Sequence, residues 1–159
     1  MRQTEMDLRR QIVEEARSWK ATPYHHGAHV KGAGCDCAML VLESFVGARI
    51  VDRPDIERYT HDWHMHRSEE KYLATVEKYL HRVDDSELPM VERGPDFRPA
   101  PGDVLVWRIG RTFSHGAIVA DFPRIVHAYF PSQQVEEENL NKIRALAIRP
   151  MRHYSYWEA

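Results

Sequence analysis

Residues 32–46 constrain the fold more than any other part of this 159-residue chain. They hold both cysteines, Cys35 and Cys37, between a glycine-containing loop and an apolar run. From Cys37 onward, the apolar residues follow the spacing of one face of a helix. The thiols therefore lie where a loop becomes a helix, and the N–H groups and dipole of a helix N-terminus stabilise a thiolate. This position is typical of a nucleophilic cysteine.

Three other interpretations of the two thiols stay open at this point. A disulfide is disfavoured, because cysteines two residues apart rarely reach disulfide geometry. Buried, unreactive thiols are the common form of intracellular cysteine. A metal site would use His25, His26 and His29, with zinc as the natural ion for mixed cysteine and histidine ligands. The spacing of these residues matches no zinc motif, so we expect no metal and no other cofactor.

Composition indicates a globular chain and argues against several classes of function. Hydrophobic residues make up 43% of the sequence, which is enough for a core. The net charge of −2 at pH 7 provides no basic surface for nucleic acid and no polybasic patch for a membrane. No apolar run approaches the ~20 residues of a membrane span. Since we find neither repeats nor a linker, we predict a single domain over residues 1–159.

Helices are predicted in the first half of the chain. Residues 4–19 carry an apolar stripe at helical spacing, and Thr4 is suited to cap that helix. A second helix follows Cys37 to about residue 46. Ser68 is suited to cap a further helix that continues to about residue 79, and the residues from 49 to 65 are predicted to be mostly loop.

The chain changes character after the turn signal at residues 101–103. Strands are predicted at residues 104–107, 115–120, 124–130 and 145–148, because each segment is short, apolar and bounded by turn or polar residues. Short turns between the strands indicate antiparallel neighbours. Helices followed by strands are the order expected of an α+β domain.

Two histidines, His115 and His127, lie on the second and third predicted strands. Side chains alternate between faces along a strand, so pairing across the turn near Phe122 would place both imidazoles on one face. We expect the cysteine helix to pack against that face. The thiol and the two imidazoles would then form a line, in which a base takes the thiol proton and a third polar group orients the base.

The segments that contain these residues resemble the NlpC/P60 cysteine peptidases, in the branch found in phages and phage-like elements. The resemblance is carried, in the order of that family, by residues 22–24, 36–41, 101–107, 114–119 and 125–128. It implies a papain-like α+β fold, with a nucleophile helix packed on a small antiparallel sheet. This chain departs from the family at Ala38 and Met39, where Ser-Gly is common, at Gly116, where valine is usual, and at the additional Cys35.

The same resemblance implies roles for six residues. Cys37 would be the nucleophile, His115 the base and His127 the residue that orients the base. The residues implied to bind substrate are Tyr24, Asp36 and Ser114.

The implied reaction is hydrolysis of peptide bonds in the stems of bacterial peptidoglycan, typically between a D-γ-glutamyl residue and a diamino acid. The implied partners are the stem peptides and the tail proteins of a phage. The first residues have no apolar segment of the secretory kind, so we expect synthesis in the cytoplasm and delivery to the cell wall with a virion or tail. The alternatives are an amidase or acyltransferase with the same thiol–imidazole chemistry, and a metal-binding module.

Overall fold

The computed structural model describes residues 3–53 and 68–157, with the side chains of residues 68–73 excepted. The helices in this part of the chain are α1 (Glu5–Ser18), α2 (Cys37–Gly47), α3 (Ser68–Tyr79) and α4 (Arg144–Ala147). Short 3-10 turns lie at Met90–Glu92, Phe130–Ser132 and Leu140–Lys142. Most of the loop predicted at residues 49–65 and the capping side chain of Ser68 lie outside the described residues.

The strands form one short hairpin and one larger antiparallel sheet. The hairpin pairs β1 (His29–Val30) with β2 (Gly34–Cys35). The larger sheet has the order β3-β8-β4-β5-β6-β7. Its strands are β3 (His81–Arg82), β4 (Val104–Ile109), β5 (Thr112–Val119), β6 (Arg124–Tyr129), β7 (Gln134–Asn139) and β8 (Met151–Ser155). The α+β class predicted from the sequence is confirmed.

The first helix begins where the sequence predicts. The Thr4 side chain accepts a hydrogen bond from the Asp7 N–H, and the Asp7 side chain accepts one from the Thr4 N–H, which together form a capping box. Ile12, Val13 and Ala16 are buried on the inner side of this helix. The apolar stripe of α1 is therefore a packing surface.

The predicted strand at residues 145–148 is wrong, because residues Arg144–Ala147 form a helical turn. Leu146 and Ala147 are buried, and a run of four apolar residues does not distinguish a buried strand from a buried helical turn. Three strands of the sheet, the two-residue β3 together with β7 and β8, were not predicted. Strand β7 carries three consecutive glutamates, and β8 has no apolar–polar alternation, so neither has the usual composition of a strand.

Each face of the sheet covers its own apolar cluster. Helices α1 and α2 pack on one face, together with Ile118 and Val126. The opposite face packs Trp107, Ala117 and Ile125 against residues that include those of α4. His115 pairs with Trp107 across the strands, and His127 alternates with Val126, so both imidazoles belong to the second face. The prediction that the cysteine helix packs against the histidine face is therefore wrong, because α2 covers the other side. Only the first residue of α2, Cys37, reaches the β5 backbone beside His115.

A buried ion cluster joins α1 to the sheet. The Asp103 carboxylate accepts hydrogen bonds from Arg9 Nη1 at 2.7 Å and from the Ala100 N–H at 3.0 Å. His153 Nε2 lies 2.7 Å from Asp103 Oδ2, the same oxygen that accepts the Ala100 hydrogen bond. Burial raises the pKa of Asp103, but the hydrogen bonds from His153 and Arg9 outweigh burial, so the net pKa lies below its ordinary value.

Within the described part of the chain, no helix is both long and apolar enough to cross a membrane.

Replacing Asp103 tests this cluster. We expect Asp103→Asn to lower the free energy of unfolding by about 3–5 kcal/mol, because it leaves the mostly buried Arg9 guanidinium without its counter-charge. Because the pKa of Asp103 is depressed in the fold, its contribution is complete above the ordinary carboxyl pKa and is lost as pH falls through the folded value. Urea titrations at several pH values measure both effects, with exposed Asp96→Asn as the control. Equal stability of the two variants would contradict this account.

Candidate active site

Asp36 fixes the point at which α2 begins. One oxygen of its carboxylate accepts a hydrogen bond from the Met39 N–H at 2.9 Å, and the other accepts one from the Gly27 N–H at 2.7 Å. Cys37 is therefore the first residue of the helix, and the preceding loop is tied to it. Asp36 is only 2% exposed, so the structure gives it a capping role; the substrate contact predicted from the sequence stays a prediction.

The Cys37 thiol meets the sheet at the start of β5. Its S–H group donates to the Ser114 carbonyl oxygen, with Sγ 3.4 Å from that oxygen. The Gly116 N–H is close enough to the sulfur to favour its charged form. The thiol thus contacts the backbone on both sides of His115. Since Gly116 has no side chain, the sulfur can approach this strand closely.

A bulge in β5 places the side chains of Phe113 and His115 on opposite faces of the sheet. Trp107 pairs with His115 and Arg108 pairs with Phe113, so Ser114 is the extra residue. Phe113 therefore points to the helix-covered face, while His115 points to the opposite one. Ser114 was predicted to bind substrate; its observed contact with the site is made by its backbone carbonyl.

The two imidazoles form a buried row. His115 Nε2 lies 3.0 Å from His127 Nδ1, and His127 Nε2 lies 2.8 Å from Glu138 Oε2. Pairing of Ile118 with Val126 sets the strand register that places both rings on one face, as strand alternation predicts. Nδ1 of His115 takes no part in this row. The sequence analysis did not include Glu138, because the acidic strand that carries it was not predicted.

Aromatic rings enclose this row. The His127 ring stacks on Tyr129 with a centroid distance of 4.7 Å, and the His115 ring lies 5.6 Å from Trp107. Both histidines are buried. Close packing of planar rings limits the rotation of each imidazole, so the row is held in a narrow range of geometry.

Burial controls the charge of the reactive groups. It raises the pKa of the Cys37 thiol to about 12, and the Asp36 charge acts in the same direction against three backbone N–H groups. Burial lowers the pKa of His115 well below 6.5, helped by His127, and it lowers the pKa of His127 to about 4. The thiol and both imidazoles are therefore neutral at pH 7. The helix N-terminus favours a thiolate, as the sequence suggests, but desolvation outweighs it.

Tyr24, which was predicted to bind substrate, lies beside the Cys37 thiol. Its pKa is raised by burial and by the neighbouring Cys37 and Asp36 groups. Its ring makes an edge-to-face contact with the exposed Phe130 at a centroid distance of 5.5 Å. These two rings form an aromatic wall next to the thiol.

Cys35 is separated from the reactive row. Its side chain is 0% exposed, and its thiol donates to the Asp36 carbonyl oxygen at 3.2 Å. Both cysteines are free thiols. Across residues 3–53 and 68–157, no group of three or more histidine, cysteine or acidic side chains is arranged to hold a metal ion.

No protein-family model and no curated protein sequence matches this chain. Solved structures, in contrast, match it along nearly its whole length. NlpC1 from Trichomonas vaginalis has a TM-score of 0.61 and 15% identity over 100% of this chain and 47% of that protein. RipB from Mycobacterium tuberculosis, a peptidoglycan hydrolase, has a TM-score of 0.57 and 14% identity over 97% of this chain and 67% of that one.

The chain has the NlpC/P60 fold. An N-acetylmuramoyl-L-alanine amidase from Bacteroides uniformis is also similar, with a TM-score of 0.60 and 10% identity over 92% of this chain and 97% of the amidase. The predicted papain-like NlpC/P60 architecture is therefore confirmed. This chain spans about half the length of the Trichomonas NlpC1 chain.

Alkylation distinguishes the two thiols of this NlpC/P60 fold. We expect iodoacetamide to modify Cys37 before Cys35, because Cys37 is 7% exposed and Cys35 is fully buried. Since the thiolate is the reactive form, the rate at Cys37 should rise about tenfold per pH unit between pH 7 and pH 9. Peptide mass spectrometry measures both sites. An alkylation rate that no longer changes with pH below pH 7 would indicate a resting thiolate. That result would contradict a neutral Cys37 thiol beside neutral imidazoles.

Proposed function

We propose that the chain is a cysteine peptidase that hydrolyses peptide bonds in the stems of bacterial peptidoglycan. The observation that carries this proposal is the buried pair of His115 and His127, next to a thiol at a helix N-terminus. A neutral imidazole with a free nitrogen is the base that acyl transfer through a thiol requires. The substrate class is supported by the similarity to RipB and to SagA, both of which are peptidoglycan hydrolases.

The proposed reaction proceeds through a thioester. The Cys37 thiol leaves the Ser114 carbonyl, gives its proton to His115 Nδ1, and the sulfur attacks the scissile carbonyl carbon. The N–H of Cys37 stabilises the oxyanion that forms. His115 then donates the proton to the amine as the C–N bond breaks. A water molecule, deprotonated by His115, attacks the thioester and releases the acid, and the proton returns to the thiol.

We further propose that the scissile bond joins a D-γ-glutamyl residue to a diamino acid. The aromatic wall formed by Tyr24 and Phe130 supports binding of an extended stem peptide beside the thiol. Delivery with a phage tail remains our proposal for how the chain reaches the wall, and tail proteins are the corresponding partners.

An amidase is the second candidate function. The similarity to the Bacteroides amidase favours it, and the thiol–imidazole chemistry serves either bond. The two candidates release different products, because an amidase separates the sugar chain from the stem and a peptidase divides the stem itself.

Digestion of purified sacculi, analysed by mass spectrometry, tests the proposed function. We expect the wild-type chain to release stem fragments cut after the γ-glutamyl residue, and Cys37→Ala to release none. Cys35→Ala is the matched control and should release the wild-type products. Intact stems freed from glycan would support the amidase instead, and an active Cys37→Ala variant would contradict both candidates.

The roles of the two histidines are separable by substitution. His115→Ala should lower turnover by roughly 10²–10⁴-fold, because the base is removed. His127→Asn should be milder, since an amide oxygen can still accept a hydrogen bond from His115 Nε2. Initial rates of stem hydrolysis, with circular dichroism as a check on folding, measure the difference. Equal losses in the two variants would show that His127 does more than orient the base.

A further inference from the structure

The polar row of the site continues from β6 onto β7. His127 is directly opposite Glu136 in the strand register, and Ile125 is directly opposite Glu138. The three polar side chains therefore share one face of the sheet. His127 makes its hydrogen bond to the diagonal neighbour, Glu138 Oε2, at 2.8 Å. Glu136 instead accepts a hydrogen bond from the Gln134 side chain, also at 2.8 Å.

The contact with Glu138 determines which nitrogen of His127 carries a proton. An ionised carboxylate can only accept, so Nε2 of His127 must be the donor. A neutral imidazole has one N–H group, which leaves Nδ1 of His127 as an acceptor. His115 Nε2, 3.0 Å away, must then donate to it. The remaining nitrogen of His115, Nδ1, consequently carries a lone pair.

We propose that Glu138 is a positioning residue that fixes the tautomers of His127 and His115, so that His115 presents an unprotonated Nδ1 to the Cys37 thiol. The effect of Glu138 on catalysis rests on the proposed function, whereas the assignment of the two tautomers does not. If the carboxylate is removed, His127 can carry its proton on Nδ1 and donate to His115 Nε2. His115 then holds its own proton on Nδ1 and cannot accept one from the thiol.

The charge around Glu138 sets the conditions for a test. Burial, followed by the hydrogen bond and the charge of the neighbouring Glu136 carboxylate, raises the pKa of Glu138 to about 7. Tyr129, whose hydroxyl interacts with Glu138 and Arg149, completes the surroundings. At pH 8 the Glu138 carboxylate is ionised, so that pH gives the clearest assignment.

The test measures the imidazole tautomers and the steady-state kinetics of the chain at pH 8. Long-range ¹⁵N–¹H correlation spectra of the full chain should show protons on Nε2 of both His115 and His127. In Glu138→Leu, a population with the proton on Nδ1 should appear. Turnover of a soluble stem peptide should fall by about 10- to 100-fold, by analogy with the loss seen when the hydrogen-bond partner of a metal-ligating histidine is removed. KM should change little, because substrate contacts are untouched.

Two further variants separate positioning from stability. Glu138→Gln keeps an acceptor oxygen and should recover part of the lost turnover. Glu137→Leu is the matched control, because Glu137 lies on the same strand but faces Arg17 and Arg124 on the opposite side. It should lower stability while leaving the tautomers and turnover at wild-type values.

A wild-type spectrum that shows His115 protonated at Nδ1 would overturn the proposal without any variant. Equal tautomer populations in Glu138→Leu and Glu137→Leu would overturn it as well. If the proposed function fails and no stem peptide is cleaved, the spectra still decide the tautomer assignment. If the tautomers are as proposed but Glu138→Leu keeps full turnover, the positioning role is wrong while the peptidase function stands.

Discussion

The hydrogen bond between His115 and His127 is the interaction on which the reactive site depends. Both rings are buried, and a buried polar group without a partner costs free energy that a small domain cannot spare. The bond therefore requires the register in which β5 and β6 pair, which places both rings on one face of the sheet. It also requires at least one neutral ring, since an imidazolium has no acceptor nitrogen and two imidazolium groups at 3.0 Å would repel each other.

Two opposing effects act on the Cys37 thiol. The helix N-terminus and the nearby N–H groups favour a thiolate, whereas burial and the Asp36 charge favour a thiol. Burial is the larger effect, so the thiol keeps its proton at neutral pH. Burial also lowers the pKa of His115, so the first imidazole of the row is neutral under the same conditions. The proposed reaction therefore starts from a neutral thiol and a neutral imidazole.

The sequence predicted much of the fold because its local signals agree with the packing. The capping pair of Thr4 and Asp7 and the start of α2 at Cys37 follow directly from residue type and spacing. Strand β7 was not predicted, because its glutamates are stabilised by partners that are distant in sequence, such as Arg17 for Glu137. The contact of His127 with Glu138 could not be predicted either, because Glu138 lies on that strand. The face on which α2 packs could not be predicted, because β5 and β6 carry apolar residues on both faces, Ala117 and Ile125 on one and Ile118 and Val126 on the other.

The most direct test of this account is to trap the covalent intermediate. The chain is mixed with a soluble stem peptide, quenched in acid within milliseconds to seconds, and mapped by peptide mass spectrometry, since thioesters survive acid. The account predicts an acyl group of the N-terminal stem fragment on the peptide that contains Cys37, localised by fragmentation to that sulfur. Hydrolysis without any acyl adduct on Cys37, or an adduct on Cys35, would contradict it.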